Sequence, residues 1–114
     1  MRIHNVTQGT ELASAARTAR AFWPRLVGLL GHSSLQPGEA LVLEPSSSVH
    51  TFFMRFTIDV VYLDRSSRVV KAVSALRPFR ISVGPRGARA VIELPSGTIA
   101  ITRSAVGDEL AFED

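Results

Sequence analysis

The sequence predicts an α+β fold that is mainly β, and three observations lead to that prediction. Short runs rich in β-branched and aromatic residues alternate with Pro, Gly, Asp and Ser clusters that are typical of turns. Only "AFWPRLVGLLG" has the periodicity of an amphipathic helix. The chain has 114 residues and no repeat or long linker, so we expect residues 1–114 to form a single domain.

Eight short strands are predicted between these turns. Their alternating or continuous apolar patterns place them at about 2–6, 11–19, 39–44, 49–54, 58–64, 68–76, 88–94 and 108–113. The stretch "DVVYLDRSSRVVKAV" predicts a hairpin, because Asp64 is a residue that opens a type I turn by accepting hydrogen bonds from nearby backbone.

One helix is predicted near residues 22–30, where a single apolar stripe is formed by Phe22, Leu26, Leu29 and Leu30. Pro24 is compatible with the first turn of such a helix, since its missing N–H would have no intrahelical partner there. A second segment, "SGTIAITRSAVGD", is ambiguous. Its β-branched residues favour a strand, but Ser96 could equally cap a short helical turn.

Composition excludes several classes of function. Apolar residues make up 46% and charged residues 20%, which is typical of a globular protein. No apolar run is long enough to span a bilayer, and the N-terminus does not look like a secretory signal. We therefore expect a cytoplasmic protein, or an extracytoplasmic one if a leader was removed. Without cysteine there is no disulfide, thiol nucleophile or thiolate ligand, and three scattered histidines predict no metal site and no cofactor.

The basic residues form a second candidate site. Net charge is only +3, although 12 of the 13 basic residues are arginine, and a compositional bias towards arginine is sufficient to explain this. Clustering occurs only in "RPFRISVGPRGAR", which makes candidate phosphate-binding residues of Arg77, Arg80, Arg86 and Arg89. The acidic C-terminal "GDELAFED" opposes such a role, so the sequence does not favour a nucleic-acid partner.

Polar residues in or beside apolar runs form the main candidate site, which consists of His50, Arg55, Asp59 and Glu93. Asp59 precedes "VVYL" and Glu93 lies in "AVIELP", so both carboxylates are expected to need partners inside the fold. Arg55 is the expected partner of Asp59. The favoured interpretation is that loop amides or arginines satisfy the two carboxylates. Two alternatives are that the four residues converge on a pocket for a polar ligand, or that His50 acts as the base of an acid–base enzyme.

Three stretches resemble the DUF192 family, also called UPF0127: "RLVGLLGHSSLQPGEALVLEPSSSVHTFFMRFTIDVVYLD", "RPFRISVGPRGARAVIELPSGT" and the final "VGDEL". The resemblance covers about residues 20–112. The matching positions are Arg25, Gly28, Leu29, Gly38, Met54, Ile58, Asp59, Asp64, Glu93, Gly97, Gly107 and Asp108.

The resemblance implies a small, partly closed β-barrel with one short helix packed against it, and it favours a helical turn at 97–103. It implies no activity, although some members of the family are encoded beside adherence-pilus or secretion genes. Our leading hypothesis is a non-enzymatic binding or accessory module, linked to envelope, pilus or secretion systems, that takes a protein partner or a small polar ligand. The alternatives are a hydrolase-like acid–base enzyme that uses His50 with Asp59 or Glu93, and an arginine-mediated nucleic-acid binder.

Overall fold

The computed structural model describes residues 1–19, 35–51 and 54–114. In these ranges the strands are β1 (Arg2–Asn5), β2 (Thr10–Ala13), β3 (Ala15–Ala19), β4 (Glu39–Leu43), β5 (Ser48–His50), β6 (Ile58–Leu63), β7 (Val69–Leu76), β8 (Ile81–Val83), β9 (Ala90–Pro95) and β10 (Leu110–Glu113). One helix, α1 (Thr98–Thr102), lies between β9 and β10.

The strands of the described residues form three sheets. A five-stranded central sheet has the order β3-β4-β9-β6-β7, and all its pairs are antiparallel except β3 with β4. A three-stranded sheet has the order β10-β1-β2, so the two ends of the chain lie side by side. Strands β5 and β8 form a two-stranded ribbon, which we call the β5–β8 ribbon.

The central sheet is buried on both of its faces. Every residue of β6 is buried, and successive side chains alternate between the faces, with Val61 and Leu63 on one and Val60 and Tyr62 on the other. The first core, which also covers the three-stranded sheet and α1, includes Ile3, Leu12, Ala16, Val42, Ile92, Leu94, Ile99 and Leu110. The second core, which lies beneath the β5–β8 ribbon, includes Leu41, Leu43, Val49, Met54, Ile58 and Val91.

Most predicted strands are present, with three differences. The strand predicted at 11–19 divides into β2 and β3, because Ser14 leaves the ladder and both its N–H and that of Ala15 donate to Gly38 O. Strand β8 was not predicted, since its three residues lie between turn residues on either side. The strand predicted at 49–54 ends at His50 as β5.

The predicted hairpin is confirmed: β6 and β7 pair, and Asp64 Oδ1 accepts the N–H groups of Ser66 and Arg68 in the turn between them. Within the ambiguous segment, Thr98–Thr102 form the helix α1. The helix predicted at 22–30 lies outside the described residues. The fold is mostly β with one short helix in the described residues, and the three sheets there do not close into a barrel, so the predicted partly closed barrel is not confirmed.

Candidate functional sites

Asp59 lies in β6 opposite a bulge in β7. The ladder between the two strands shifts register there, so that Ser74 and Ala75 of β7 together face Asp59. Ala75 has a φ of 58°, a left-handed conformation that is unfavourable for a residue with a Cβ. Its N–H donates to Asp59 Oδ1 at 2.9 Å, so the carboxylate stabilises the bulge.

The second oxygen of Asp59 stabilises the start of helix α1. Asp59 Oδ2 accepts the N–H groups of Gly97 at 3.1 Å and Ile99 at 2.9 Å. Gly97 is the N-cap residue of α1 and supplies no side-chain hydrogen bond of its own. A carboxylate at this position is favourable because it satisfies N–H groups that the helix leaves unpaired and faces the positive end of its dipole.

Arg55 was expected to pair with Asp59, and that expectation is wrong. Arg55 is exposed, and within the described part of the chain no ion pair joins the two residues. Asp59 is only 1% exposed and is held by three backbone N–H groups instead. The physical reason is that backbone donors at a bulge and a helix start are already fixed in place, whereas an arginine side chain would lose rotamer entropy and hydration.

Glu93 lies on the opposite face of the central sheet from Asp59. In the pairing of β6 with β9, Asp59 is opposite Leu94 of the first core, and Glu93 is opposite Val60 of the second core. Directly paired residues point to the same side of a sheet, and neighbours along a strand point to opposite sides. Asp59 therefore cannot share one pocket with Glu93, and the proposed pocket of all four polar residues is not formed.

The surroundings of Glu93 include the single tyrosine. Glu93 is fully buried, as is Tyr62, whose hydroxyl donates to Ser82 Oγ at 2.8 Å. Burial raises the pKa of Tyr62 above its ordinary value of about 10, the hydrogen bond with Ser82 opposes this rise, and the nearby charge of Glu93 adds to it. Lys71 Nζ lies over the Tyr62 ring, 5.8 Å from the ring centroid.

His50 lies on the outer face of the β5–β8 ribbon. It pairs with Ile81, while the neighbouring pair, Val49 with Ser82, faces the second core. The pairing of His50 with Asp59 that one enzyme hypothesis requires is therefore not formed, since the central sheet lies between the ribbon and the Asp59 carboxylate. A catalytic pairing of His50 with Glu93 remains a prediction.

An exposed apolar stripe on β8 and the loop before it was missed by the sequence reasoning. The exposed fractions of Phe79, Ile81 and Val83 are 60%, 65% and 59%. Ile81 and Val83 alternate with buried Ser82, so their side chains share the outer face of the ribbon, and Phe79 lies in the loop just before β8. The alternation was visible in "FRISV", but it could not show which of the two sets faces the core.

Thr51 fixes the loop that leads into this stripe. Its hydroxyl donates to Arg77 O and accepts the N–H of Arg80 at 2.8 Å. Its backbone N–H donates to Arg80 O at 2.8 Å, and its carbonyl accepts the N–H of Phe79 at 3.0 Å. Phe79, held in this way, has a φ of 61°, in the left-handed region. Thr51 is fully buried, so the loop is fixed from below.

The four candidate phosphate-binding arginines are all exposed, but the structure divides them into two pairs. Arg77 and Arg80 lie in the loop before β8, and Arg86 and Arg89 lie in the turn after it. The strand between the pairs prevents them from forming one compact cluster. A phosphate-binding role for all four together remains a prediction.

Asp108 connects the two ends of the chain, and the sequence reasoning assigned it no contact. Its Oδ2 accepts hydrogen bonds from Asn5 Nδ2 at 3.0 Å, the Ala105 N–H at 3.0 Å and Gln8 Nε2 at 3.2 Å. The hydrogen bond from Asn5 is the main cause of a lowered pKa for the Asp108 carboxyl, and the other two bonds act in the same direction. This is a structural role.

No metal centre or membrane span is found in the described residues. They contain no group of three or more His, Asp or Glu that could hold a metal ion. No helix among them is long and apolar enough to cross a membrane.

Comparisons with known proteins identify relatives along almost the whole chain. The model of the DUF192 family, described as "Uncharacterized ACR", matches residues 3–112. A UPF0127 protein of Pyrococcus furiosus is 37% identical over 114 residues, which are 95% of this chain and 95% of that protein. A UPF0127 protein of Thermococcus sibiricus is 34% identical over 113 residues, which are 96% of this chain and 73% of that protein.

Two solved structures have a similar fold. A protein of unknown function from Novosphingobium aromaticivorans superposes with a TM-score of 0.83 at 17% identity, over 98% of this chain and 84% of that one. A putative transcription regulator from Sinorhizobium meliloti superposes with a TM-score of 0.78 at 16% identity, over 96% of this chain and 89% of that one. At such low identity these likenesses concern the fold alone.

Proposed function

The chain belongs to the DUF192 family of uncharacterised proteins, and on that premise we propose that it is a non-enzymatic binding module for a partner protein. The binding surface consists of Phe79, Ile81 and Val83, with His50 beside them and Arg77 and Arg80 at one end. We call it the docking surface. The observation that carries the proposal is the exposed apolar stripe of β8.

Contiguity distinguishes this stripe from ordinary exposed apolar residues. Single exposed apolar side chains are normal on any protein, and Ile101, at 82% exposure, is an example. Ile81 and Val83 instead share one face of β8, Phe79 lies in the loop directly before that strand, and each of the three is more than half exposed. Such patches are typical of interaction sites, because covering them removes apolar surface from water at about 25 cal/mol per Å².

The conformation of Phe79 supports the same proposal. A residue with a side chain costs about 1–3 kcal/mol in the left-handed region. Burial of the ring does not offset this cost, since Phe79 remains 60% exposed, and the hydrogen bonds of Thr51 hold the loop in place. A fixed loop that presents an exposed aromatic side chain is favourable for binding, because less conformational freedom is lost when a partner docks.

The charges around the stripe indicate the chemistry of the partner. Arg77 and Arg80 are exposed at the Phe79 end, and Lys71 Nζ donates to Val83 O at the other end. The partner is therefore a protein segment whose apolar side chains cover Phe79, Ile81 and Val83 and whose Asp or Glu residues lie next to the arginines.

Selection from a phage-displayed library of random peptides tests the proposal. The immobilised chain is expected to enrich peptides that combine several apolar residues with Asp or Glu. Synthetic versions of these peptides are expected to bind the unaltered chain and to lose at least tenfold in affinity against Ile81→Ser. Loss of affinity against a variant with both Arg77→Gln and Arg80→Gln, together with weaker binding at higher salt, tests the charges.

Ile101→Ser is the matched control, since Ile101 is also exposed but lies on α1, away from the ribbon. Both isoleucines are mostly exposed, so both serine variants are expected to keep the melting temperature of the unaltered chain. Equal binding of the peptides to Ile81→Ser and the unaltered chain would overturn the proposal, and so would enrichment of no peptide at all.

Other settings and activities have less support. Nucleic-acid binding is less favoured because the exposed arginines are divided by β8. An envelope, pilus or secretion setting remains a prediction from the family resemblance, since no contact among the described residues bears on it.

A further inference from the structure

A cleft lies where three turns meet, at the opposite end of β8 from Phe79. The turns are the segment 44–48 before and into β5, the hairpin turn 64–68 and the turn 84–89 before β9. The cleft has a volume of about 440 Å³, and its polar lining comes from Ser46, Ser47, Arg65 and Arg89. No carboxylate is among its described lining residues.

Backbone hydrogen bonds hold two walls of the cleft together. The N–H of Ser46 donates to Arg89 O at 2.8 Å, and the N–H of Gly84 donates to Ser47 O at 2.7 Å. Arg89 is further fixed by its own N–H, which donates to Leu63 O at 2.7 Å at the end of β6. The backbone positions of Ser46, Ser47 and Arg89 are therefore set by the fold before any ligand arrives.

The third wall carries Arg65 and is fixed separately. Asp64 Oδ1 accepts the N–H groups of Ser66 at 2.8 Å and Arg68 at 3.0 Å, which holds the turn around Arg65. Asp64 and Glu44 line a smaller neighbouring cavity of about 60 Å³, which Arg65 and Arg89 also line. Asp64 and Glu44 do not line the larger cleft.

The two guanidinium groups of the cleft differ from that of Arg68 nearby. Arg68 donates to Gly107 O at 2.9 Å and lies 3.8 Å from Glu109. Arg65 and Arg89 have no ion pair or side-chain hydrogen bond with any described residue. Two arginines thus line one cleft that has no carboxylate among its described lining residues.

We propose that this cleft binds the phosphate group of a small phosphomonoester. Two guanidinium groups match the two charges of such a phosphate, and each can donate two parallel hydrogen bonds to its oxygens. The Ser47 hydroxyl adds a polar contact, whereas that of Ser46 already donates to Ser48 O at 3.0 Å, and Gly87 leaves open space where a side chain would stand. A volume of about 440 Å³ is in the range of small-molecule sites and leaves room for the rest of the ligand. This proposal does not depend on the docking surface.

Amide NMR titrations with ribose 5-phosphate and with inorganic phosphate test it. Ribose 5-phosphate is expected to shift the amide signals of Ser47, Gly87 and Ala88 and to bind at least threefold more tightly than inorganic phosphate. Equal affinity of the two probes would assign the cleft to free phosphate and overturn the monoester. Shifts confined to amides outside the three turns would overturn the site.

Three variants distinguish specific phosphate binding in the cleft from a general attraction of the ligand to positive charge. Arg65→Gln and Arg89→Gln are each expected to weaken ribose 5-phosphate binding about tenfold, since each removes charge-assisted hydrogen bonds. Arg86→Gln is the matched control, because it removes the same charge from the same turn but from a side chain outside the cleft, and we expect a loss of less than threefold. Equal losses in all three variants would overturn the proposal. All three arginines are exposed, so the variants are expected to fold.

Discussion

Replacing Asp59 by asparagine tests the conclusion that this carboxylate is a structural group. Asp59 uses both of its oxygens, with Oδ1 bound to the N–H of Ala75 and Oδ2 to those of Gly97 and Ile99. Asparagine supplies only one oxygen. When that oxygen faces Gly97 and Ile99, the amide NH₂ group faces the N–H of Ala75, and two donors meet in a site that is 1% exposed.

The expected cost follows from these contacts. A hydrogen bond to a charged group contributes about 1.5–3 kcal/mol, and the two bonds that remain become bonds to a neutral acceptor. We therefore expect the free energy of unfolding to fall by about 2–4 kcal/mol. For a domain of this length the entropy of unfolding is roughly 240 cal/mol/K, so each kcal/mol lowers the melting temperature by about 4 °C and the total is about 8–16 °C.

Asp64→Asn is the matched control, because Asp64 accepts both of its backbone hydrogen bonds with the single oxygen Oδ1. Asparagine can keep both bonds there, so the expected loss is below about 1 kcal/mol. Urea unfolding of the two variants measures the difference. Hydrogen exchange adds a local test, since Asp59→Asn is expected to speed exchange at the amides of Ala75, Gly97 and Ile99. If both variants unfold within 1 kcal/mol of each other, the structural assignment of Asp59 is refuted.

Three further variants test the buried polar groups and one close contact. The hydrogen bond from Asn5 holds the pKa of the Asp108 carboxyl below its ordinary value. The contribution of this carboxylate to the stability of the fold is therefore present above the unfolded pKa of about 3.9 and is lost as the pH falls through the folded pKa. The melting temperature of Asp108→Asn should accordingly fall less below pH 4 than that of the unaltered chain. Burial and the charge of Glu93 raise the pKa of Tyr62, so Glu93→Gln should move the ultraviolet titration of this single tyrosine to lower pH. In Gly84→Ala the new Cβ would stand 2.6 Å from Tyr62 Cδ2, and calorimetry should detect a loss of about 1–3 kcal/mol.

The sequence correctly predicted features that depend on residues close together along the chain. The β6–β7 hairpin and the role of Asp64 in its turn follow from a local pattern, in which a turn-forming residue separates two apolar runs. The need of Asp59 for partners was also predictable, because a carboxylate beside "VVYL" cannot stay unsatisfied in a core. Which partners it has was not predictable, since they lie 16, 38 and 40 residues further along the chain.

The position of Glu93 shows the same limit. Asp59 and Glu93 were placed in one candidate pocket because both interrupt apolar strands. Only the register of β6 against β9 decides that they point to opposite faces, and a shift of one residue would have put them on the same face. That register is set by contacts across the two cores, which a single sequence does not reveal.

Strand β8 shows why the most prominent candidate surface was not predicted. In "FRISV" the apolar residues would normally face the core, yet Ser82 faces it and Phe79, Ile81 and Val83 face outwards. Ser82 is held there by Tyr62, whose buried hydroxyl needs a partner, and by its pairing with Val49 of the second core. The buried hydroxyl of Tyr62 thus has its partner on the same strand whose apolar side chains are exposed.

This arrangement gives the buried polar groups and the exposed apolar groups opposite roles. Asp59, Asp108 and Thr51 are buried, and their hydrogen bonds go to the chain itself, where they fix a bulge, a helix start and two loops. The exposed stripe on β8 stabilises the isolated fold little, since more than half of each side chain stays in water. The stability of the fold is a sufficient reason for the buried polar groups, but it is not a sufficient reason for an exposed apolar stripe. The β5–β8 ribbon is therefore a stronger candidate for a functional surface than the buried carboxylates are.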